Sequence, residues 1–386
     1  MLRVALCLLG FLAAETAQAV DVQIHYLKEE TVAPPTLSNM DTVPEDLGLD
    51  GARLGLTDNQ TTGSFLGQRY ELKVTRVPPG ADIREAAAAA LGDARFLVVD
   101  APMEALLSIA DLPSASDALI FNVSAADPEL RSGECRKNVL HTVPSLAMRT
   151  DALVQFLVSK RWTGLALVSG TNPADTAYAD ALKRSVTKFG LKIGAEKTWA
   201  YDADMRRNAA QEVPVFTQEF GDYDVLLVAD EIGDFGRYVL YNTWQARPVA
   251  GSEGLSAVAW SPTVEQWGAA QLQRRFAEAA GRPMQSADYA AWAAVRTIGE
   301  AVTRTGSSDA VPLREFILSD RFELAGFKGR PMNYRHWNGQ LRQPVPIVHP
   351  RALAALAPLE GFLHQRTELD TLGLDEAESD CRAFTE

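Results

Sequence analysis

Three unbroken apolar runs constrain this chain more than any other feature: Ala94–Asp100 (ARFLVVD), Gly164–Ser169 (GLALVS) and Asp224–Asp230 (DVLLVAD). A strand with one face in water alternates apolar and polar residues, whereas runs like these suit parallel strands covered on both faces. Segments with helical spacing of apolar residues lie around them, at Asp82–Leu91, Thr150–Lys160 and Asp175–Phe189. Alternation of strand and helix predicts an α/β chain with a doubly wound parallel sheet. The first half adds a strand at Val22–Leu27, a helix from about Glu45 to Thr57, a Thr61-Thr62-Gly63 turn and a strand at Tyr70–Val77. Residues 164–199 repeat that plan, so the pattern predicts two such units. Helices are expected at Val264–Ala280 and Asp288–Thr305, and a β-hairpin around Tyr334–Trp337, flanked by Gly329-Arg330-Pro331 and Asn338-Gly339.

The length, 386 residues, exceeds what one ordinary core holds and points to two lobes. Residues 1–19 read as a signal peptide: Arg3 is the positive start, Val4–Ala14 the apolar run, and Ala17-Gln18-Ala19 the cleavage site. Export to the periplasm is the expectation, with no later stretch apolar enough for a membrane span. A net charge of -13 disfavours nucleic acid and anionic lipid as partners. With Cys7 inside the leader, Cys135 and Cys381 remain; in an oxidising compartment they form a disulfide or persist as two separate buried thiols.

In an open parallel sheet, ligands sit at the carboxyl ends of the strands. Those ends carry acids here: Glu29 and Glu30 after the first strand, Asp100 after the third, Tyr201 and Asp202 in Tyr201-Asp202-Ala203-Asp204, then Asp230, Glu231 and Asp234. Each is a candidate cleft residue, and each is also explained as a helix cap. Asp230, Glu231 and Asp234 together exceed what one cap needs and form the candidate metal set. Calcium-like ions take six to eight oxygens, and no EF-hand loop is present. The five histidines lack zinc spacing, and neither a nucleophile elbow, a P-loop nor G-x-G-x-x-G occurs. Nothing specific supports an enzyme, and no cofactor is required.

The order of elements resembles the type I periplasmic binding proteins, in the branch related to branched-chain amino-acid receptors. The residues carrying this are Gly51-Ala52-Arg53-Leu54 leading to Leu66-Gly67-Gln68-Arg69-Tyr70-Glu71-Leu72, Val143-Pro144-Ser145 before the Trp162–Ser169 strand, Asp222-Tyr223-Asp224-Val225-Leu226, and Phe276, Tyr289, Ala290 and Ala291. Asp58-Asn59-Gln60-Thr61-Thr62-Gly63, Val98-Val99-Asp100-Ala101-Pro102, and Glu134-Cys135-Arg136 with Asp380-Cys381-Arg382 resemble a subgroup of ABC transporter substrate-binding proteins associated with PQQ-dependent alcohol dehydrogenase systems. The resemblance implies two doubly wound parallel-sheet lobes joined by a three-strand hinge, with an ABC permease and ATPase as partners. Lobe 1 would comprise 20–143 plus 262–325, lobe 2 would comprise 144–261 plus 326–368, and 369–386 would be an acidic surface tail. Crossings are expected near Pro144, Trp260-Ser261 and Ala325–Gly329. The ligand implied is a lanthanide ion or chelate (a bound calcium being the other metal considered), or else a small organic solute such as an amino-acid-like or alcohol-derived acid. A ligand-gated sensor is the other function class. After Phe121-Asn122-Val123, the loop Ser124-Ala125-Ala126-Asp127-Pro128-Glu129 is more acidic than in amino-acid receptors, which adds Asp127 to the cleft candidates.

Overall fold

A computed structural model describes residues 20–32, 43–200 and 205–384, without the side chains of 205–207. The expected signal peptide, and Tyr201 and Asp202 among the site candidates, lie outside the described residues.

The first sheet holds β1 (Val20–Glu29), β2 (Gln68–Val77), β3 (Phe96–Asp100), β4 (Leu119–Asn122) and β5 (Val139–His141) in the order β2-β1-β3-β4-β5, all parallel. Helices α1 (Leu49–Leu66), α2 (Ile83–Asp93) and α3 (Met103–Ala110) connect its strands. Helix α4 (Leu146–Ser159), capped by the Ser145 hydroxyl accepting from the Met148 amide, leads into the second sheet. There β6 (Gly164–Ser169), β7 (Lys192–Thr198), β8 (Val225–Ala229) and β9 (Val249–Gly251) lie parallel in the order β7-β6-β8-β9, linked by α5 (Pro173–Lys188), α6 (Met205–Gln218) and α7 (Gly236–Val239). The chain continues through β10 (Ser256–Ala257), α8 (Ala269–Ala280), α9 (Ser286–Thr305) and α10 (Ala310–Ile317). It ends with the hairpin β11 (Asn333–Tyr334) and β12 (Leu341–Arg342), then β13 (Val345–His349) and β14 (Ala352–Ala357), which pair with β10 as an antiparallel sheet. The three apolar runs contain β3, β6 and β8, whose residues are buried except for Asp100 and Gly164 at strand ends, as their unbroken hydrophobicity requires.

Cores on both faces of each sheet define the two lobes. Those of the first lobe draw on residues between 22 and 140 and between 260 and 341, and those of the second on residues between 146 and 257 and between 345 and 372. Three segments therefore cross between lobes: 142–145, 258–259 and 342–344. The expected third crossing near Ala325–Gly329 is displaced. Leu324 and Met332 bridge each other inside the first core, and the Tyr289 hydroxyl donates to the Gly326 carbonyl at 2.7 Å, which fixes that loop in lobe 1. The true crossings are tied together by side-chain amides. Gln340 Nε2 donates to the carbonyls of His141 and Val143, and Gln343 Nε2 to that of Thr142 at 2.7 Å.

Two further expectations are corrected. Thr61-Thr62-Gly63 is not a turn: the Thr57 and Thr61 hydroxyls bond back to the carbonyls four residues earlier, and α1 continues to Gly67, whose φ of 68° ends it. The tail after Leu369 is not a surface appendage. Leu369, Asp370 and Leu372 are buried, and Asp370 sits between Arg335 and Arg342 at 2.8 Å from each.

Helix α1 packs on α9 through glycines. A Cβ at Gly51 would collide with the Asp288 carbonyl, and one at Gly55 would press on the Trp292 carbonyl and Val295. Gly51→Ala gains about 1 kcal/mol in helix propensity, but forcing the helices apart costs about 1–3 kcal/mol and leaves Asp288 badly placed for the Gly48 amide. A net loss of stability in urea unfolding is expected; a gain would mean that the helix pair relaxes freely.

Candidate functional site

The strand order β2-β1-β3 reverses direction between β1 and β3, the topological switch at which open α/β sheets bind ligands. A cavity of about 600 Å³ lies there, lined by the ends of β1 (Lys28, Glu29, Glu30) and β3 (Asp100, Ala101), by Arg76 of β2, and by Ser124 after β4. Its size suits a small molecule. Lys28 and Asp100 are register partners across the switch and form an ion pair at 3.3 Å. The Asp100 carboxylate also accepts from the Tyr26 hydroxyl at 3.1 Å. Burial first, and then the Asp100 charge, push the Tyr26 phenol well above its ordinary range, so it stays a donor. Arg76 reaches Glu30 at 3.5 Å and Glu45 at 3.3 Å and also pairs with Asp46. Four carboxylates (Glu29, Glu30, Glu45, Asp100) thus face two cations (Lys28, Arg76) on this wall. The backbone donors beside them are engaged: Asn122 Oδ1 accepts from the amides of Ser124 and Ala125, and Ser124 Oγ from that of Ala101.

In the second sheet the equivalent switch lies between β6 and β8. Glu231, just past β8, makes a bidentate pair with Arg149 of α4 at 2.8 and 3.1 Å, and Ser252 Oγ donates to it at 2.9 Å. Arg149 also donates to the Ala257 carbonyl beside the second crossing and lies 5.0 Å over the Tyr178 ring. Burial alone would raise the Glu231 carboxyl, but the Arg149 charge outweighs it and holds the group below its usual range. Asp175 Oδ1 accepts from the Glu231 amide at 2.7 Å, fixing where the strand end points.

Glu29, Glu30 and Asp100, singled out from the sequence, are therefore brought together. Asp127 is not among the residues lining the cavity; it precedes the turn Pro128–Arg131, and its carbonyl accepts from Arg131. Asp230, Glu231 and Asp234 do not form a metal centre. Asp230 is a cap, accepting the amides of Asp234, Phe235 and Gly236, while Glu231 is committed to Arg149. Among the described residues no three His, Cys, Asp or Glu side chains converge as a metal ion would require. Trp199 and Trp260 are core residues, stacked on Phe235 and Tyr289. Arg76 and Arg149 carry no local signal along the chain, because each meets its acid only through tertiary packing. Cys135 and Cys381 are joined in a disulfide, the first of the two expectations for that pair.

No family model and no curated protein sequence matches the chain. Solved structures do. A branched chain amino acid ABC transporter periplasmic ligand-binding protein from Burkholderia xenovorans LB400 superposes with a TM-score of 0.70 at 15% identity, covering 94% of this chain and 100% of that one. A leucine-, isoleucine-, valine-, threonine- and alanine-binding protein from Brucella ovis, in a closed conformation, gives 0.65 at 13% identity over 86% of this chain and 90% of that one. An ABC transporter substrate-binding protein from Desulfitobacterium hafniense in complex with Leu gives 0.65 at 15% identity, covering 86% and 99%. The chain has the type I periplasmic-binding-protein fold.

Proposed function

We propose that this protein is the periplasmic solute-binding component of an ABC importer, closing two lobes by hinge motion over a small organic ligand that carries an amino group. The observation that carries this is the strand-end cavity of the first lobe, where four carboxylates outnumber two cations at the switch point and the amides of Ala101, Ser124 and Ala125 are already engaged. An ammonium group matches that wall, and the Arg149–Glu231 pair offers a second polar surface at the corresponding end of the other sheet. The solved structures of this fold include a receptor in complex with Leu, an amine-bearing solute. Their transport descriptions support a non-enzymatic role, a periplasmic location, and a permease with its ATPase as partners. A bare lanthanide or calcium ion fits less well, since such ions need several convergent oxygens; a chelated ion, met through its organic shell, belongs in the same test. A link to PQQ-dependent alcohol oxidation is part of this proposal and is supported by the sequence motifs alone, so amino alcohols and their acids belong in the test too.

A thermal-shift panel of amino acids, amino alcohols, simple carboxylic acids, calcium, and lanthanum free and chelated tests this. A true ligand at 100 times its Kd adds about 2.7 kcal/mol and raises Tm in a concentration-dependent way. The expected result is a shift with at least one amine-bearing solute, lost in Asp100→Asn. Shifts confined to carboxylic acids without an amine, or to metal ions, would overturn the reading.

A further inference from the structure

We infer that the C-terminal tail is a fourth connection between the lobes, a strap closed by the Cys135–Cys381 disulfide that restrains opening of the hinge. Its near end belongs to lobe 2. Leu372 is wholly buried in that core, the Gly373 amide donates to Asp151 Oδ2 at 2.7 Å, and Lys188 Nζ donates to the Gly373 carbonyl at 2.7 Å. Its far end belongs to lobe 1. Ser379 Oγ donates to the Arg131 carbonyl at 2.8 Å, the Asp380 amide to Ser132 Oγ at 2.9 Å, and Phe384 packs against the first core. Cys381 then bonds covalently to Cys135, in the loop between β4 and β5.

Both anchors adjoin the crossings. Arg131, beneath the far anchor, donates to the Val143 carbonyl in the first crossing and to Gln340 before the third. Arg335 of the β11–β12 hairpin donates to the carbonyls of Leu372 and Leu374. Seven residues lie between Gly373 and Cys381, and the eight Cα steps reach at most about 29 Å if fully extended. They are not extended: Glu376–Glu378 form a 3-10 turn, Asp375 pairs with His364 at 3.2 Å, and Glu376 pairs with Arg366 at 2.6 Å. Lobe separation at the strap therefore has to unwind that turn and break those pairs. Without the disulfide, the contacts at the far end are all non-covalent, among them the Ser379 and Asp380 hydrogen bonds and the Phe384 packing, and can release instead. An oxidising compartment keeps the strap closed.

This rests on the lobes moving about their crossings, as the proposed function requires, but not on the identity of any ligand. The test compares ligand-free wild type with Cys135→Ser/Cys381→Ser by small-angle scattering and by hydrogen exchange of segments 142–145, 258–259 and 342–344. The expected result is a larger radius of gyration and crossing amides that exchange on the order of tenfold faster in the variant. A thiol reductant should reproduce both changes in wild type and do nothing to the variant. Should the double variant fail to fold, reduced wild type below its melting temperature supplies the comparison. Unchanged dimensions and unchanged exchange at the crossings, even with a lower Tm, would overturn the strap and leave the disulfide as a stabiliser only. A thermal-shift panel that finds no solute bears on the binding reading and leaves this comparison intact.

Discussion

Asp370→Ala is expected to destabilise the protein by about 3–5 kcal/mol in urea unfolding. The Asp370 carboxylate is 3% exposed and accepts from Arg335 and Arg342, whose side chains are 2% and 9% exposed. Removing it leaves two buried guanidinium groups without the one carboxylate that both of them contact, and the penalty lies in that desolvation rather than in the lost contacts. Both arginines keep backbone partners, Arg335 on the carbonyls of Leu372 and Leu374 and Arg342 on that of Tyr334, so they cannot simply swing to water. The pair is enclosed, so the loss should be nearly independent of salt. Replacing the carboxylate and Arg335 together by apolar residues should recover part of the loss, because the desolvation of one cation disappears with it. A loss below about 1 kcal/mol, the range of exposed pairs, would show that water reaches the cluster.

The second large effect is on the pH dependence of stability. Lys328 is 1% exposed, its ammonium lies 4.2 Å from the Tyr289 ring centre, and it donates to Gln343 Oε1 at 2.6 Å. Among the described residues no carboxylate pairs with it, and burial holds its pKa well below the ordinary lysine value. Over the interval between the lowered folded value and the ordinary one, the unfolded chain then binds more protons than the folded chain. Between the lowered value and the ordinary one of about 10.4, stability rises with pH, by up to about 1.4 kcal/mol per unit, and is lost again as pH falls. Lys328→Met removes the proton site while filling similar space. The stability of wild type relative to Lys328→Met should therefore climb as pH rises towards the ordinary lysine value of about 10.4 in parallel denaturation series. Curves that keep a constant separation would mean that Lys328 stays charged in the fold, carried by the Tyr289 face.

The corrected elements show where local pattern stops being informative. The Thr61-Thr62-Gly63 stretch has turn composition, yet it continues a helix because the Thr61 hydroxyl is satisfied within it and Gly63 lies close against Tyr70 and Gln68. Asp230, Glu231 and Asp234 are adjacent in sequence and suggest shared work. Their partners divide them, with three amides capped by Asp230 and the Arg149 guanidinium held by Glu231. Asp370 reads as one acid in an acidic tail, and nothing nearby announces that Arg335 and Arg342 will close around it.

The sequence by itself pointed to the two parallel sheets, since short, β-branched apolar runs alternating with helical segments suit strands covered on both faces, and it placed acids at the ends of those strands. Only the tertiary structure decided which acids act together. Glu29, Glu30 and Asp100 meet at one cavity because β1 and β3 are neighbours across the switch point, 74 residues apart at Tyr26 and Asp100. Likewise Glu231 is drawn 82 residues back to Arg149, and Cys381 is drawn 246 residues back to Cys135. Burial is a local property that composition records. Charge pairing depends on distances set by packing, and no spacing along the chain encodes them.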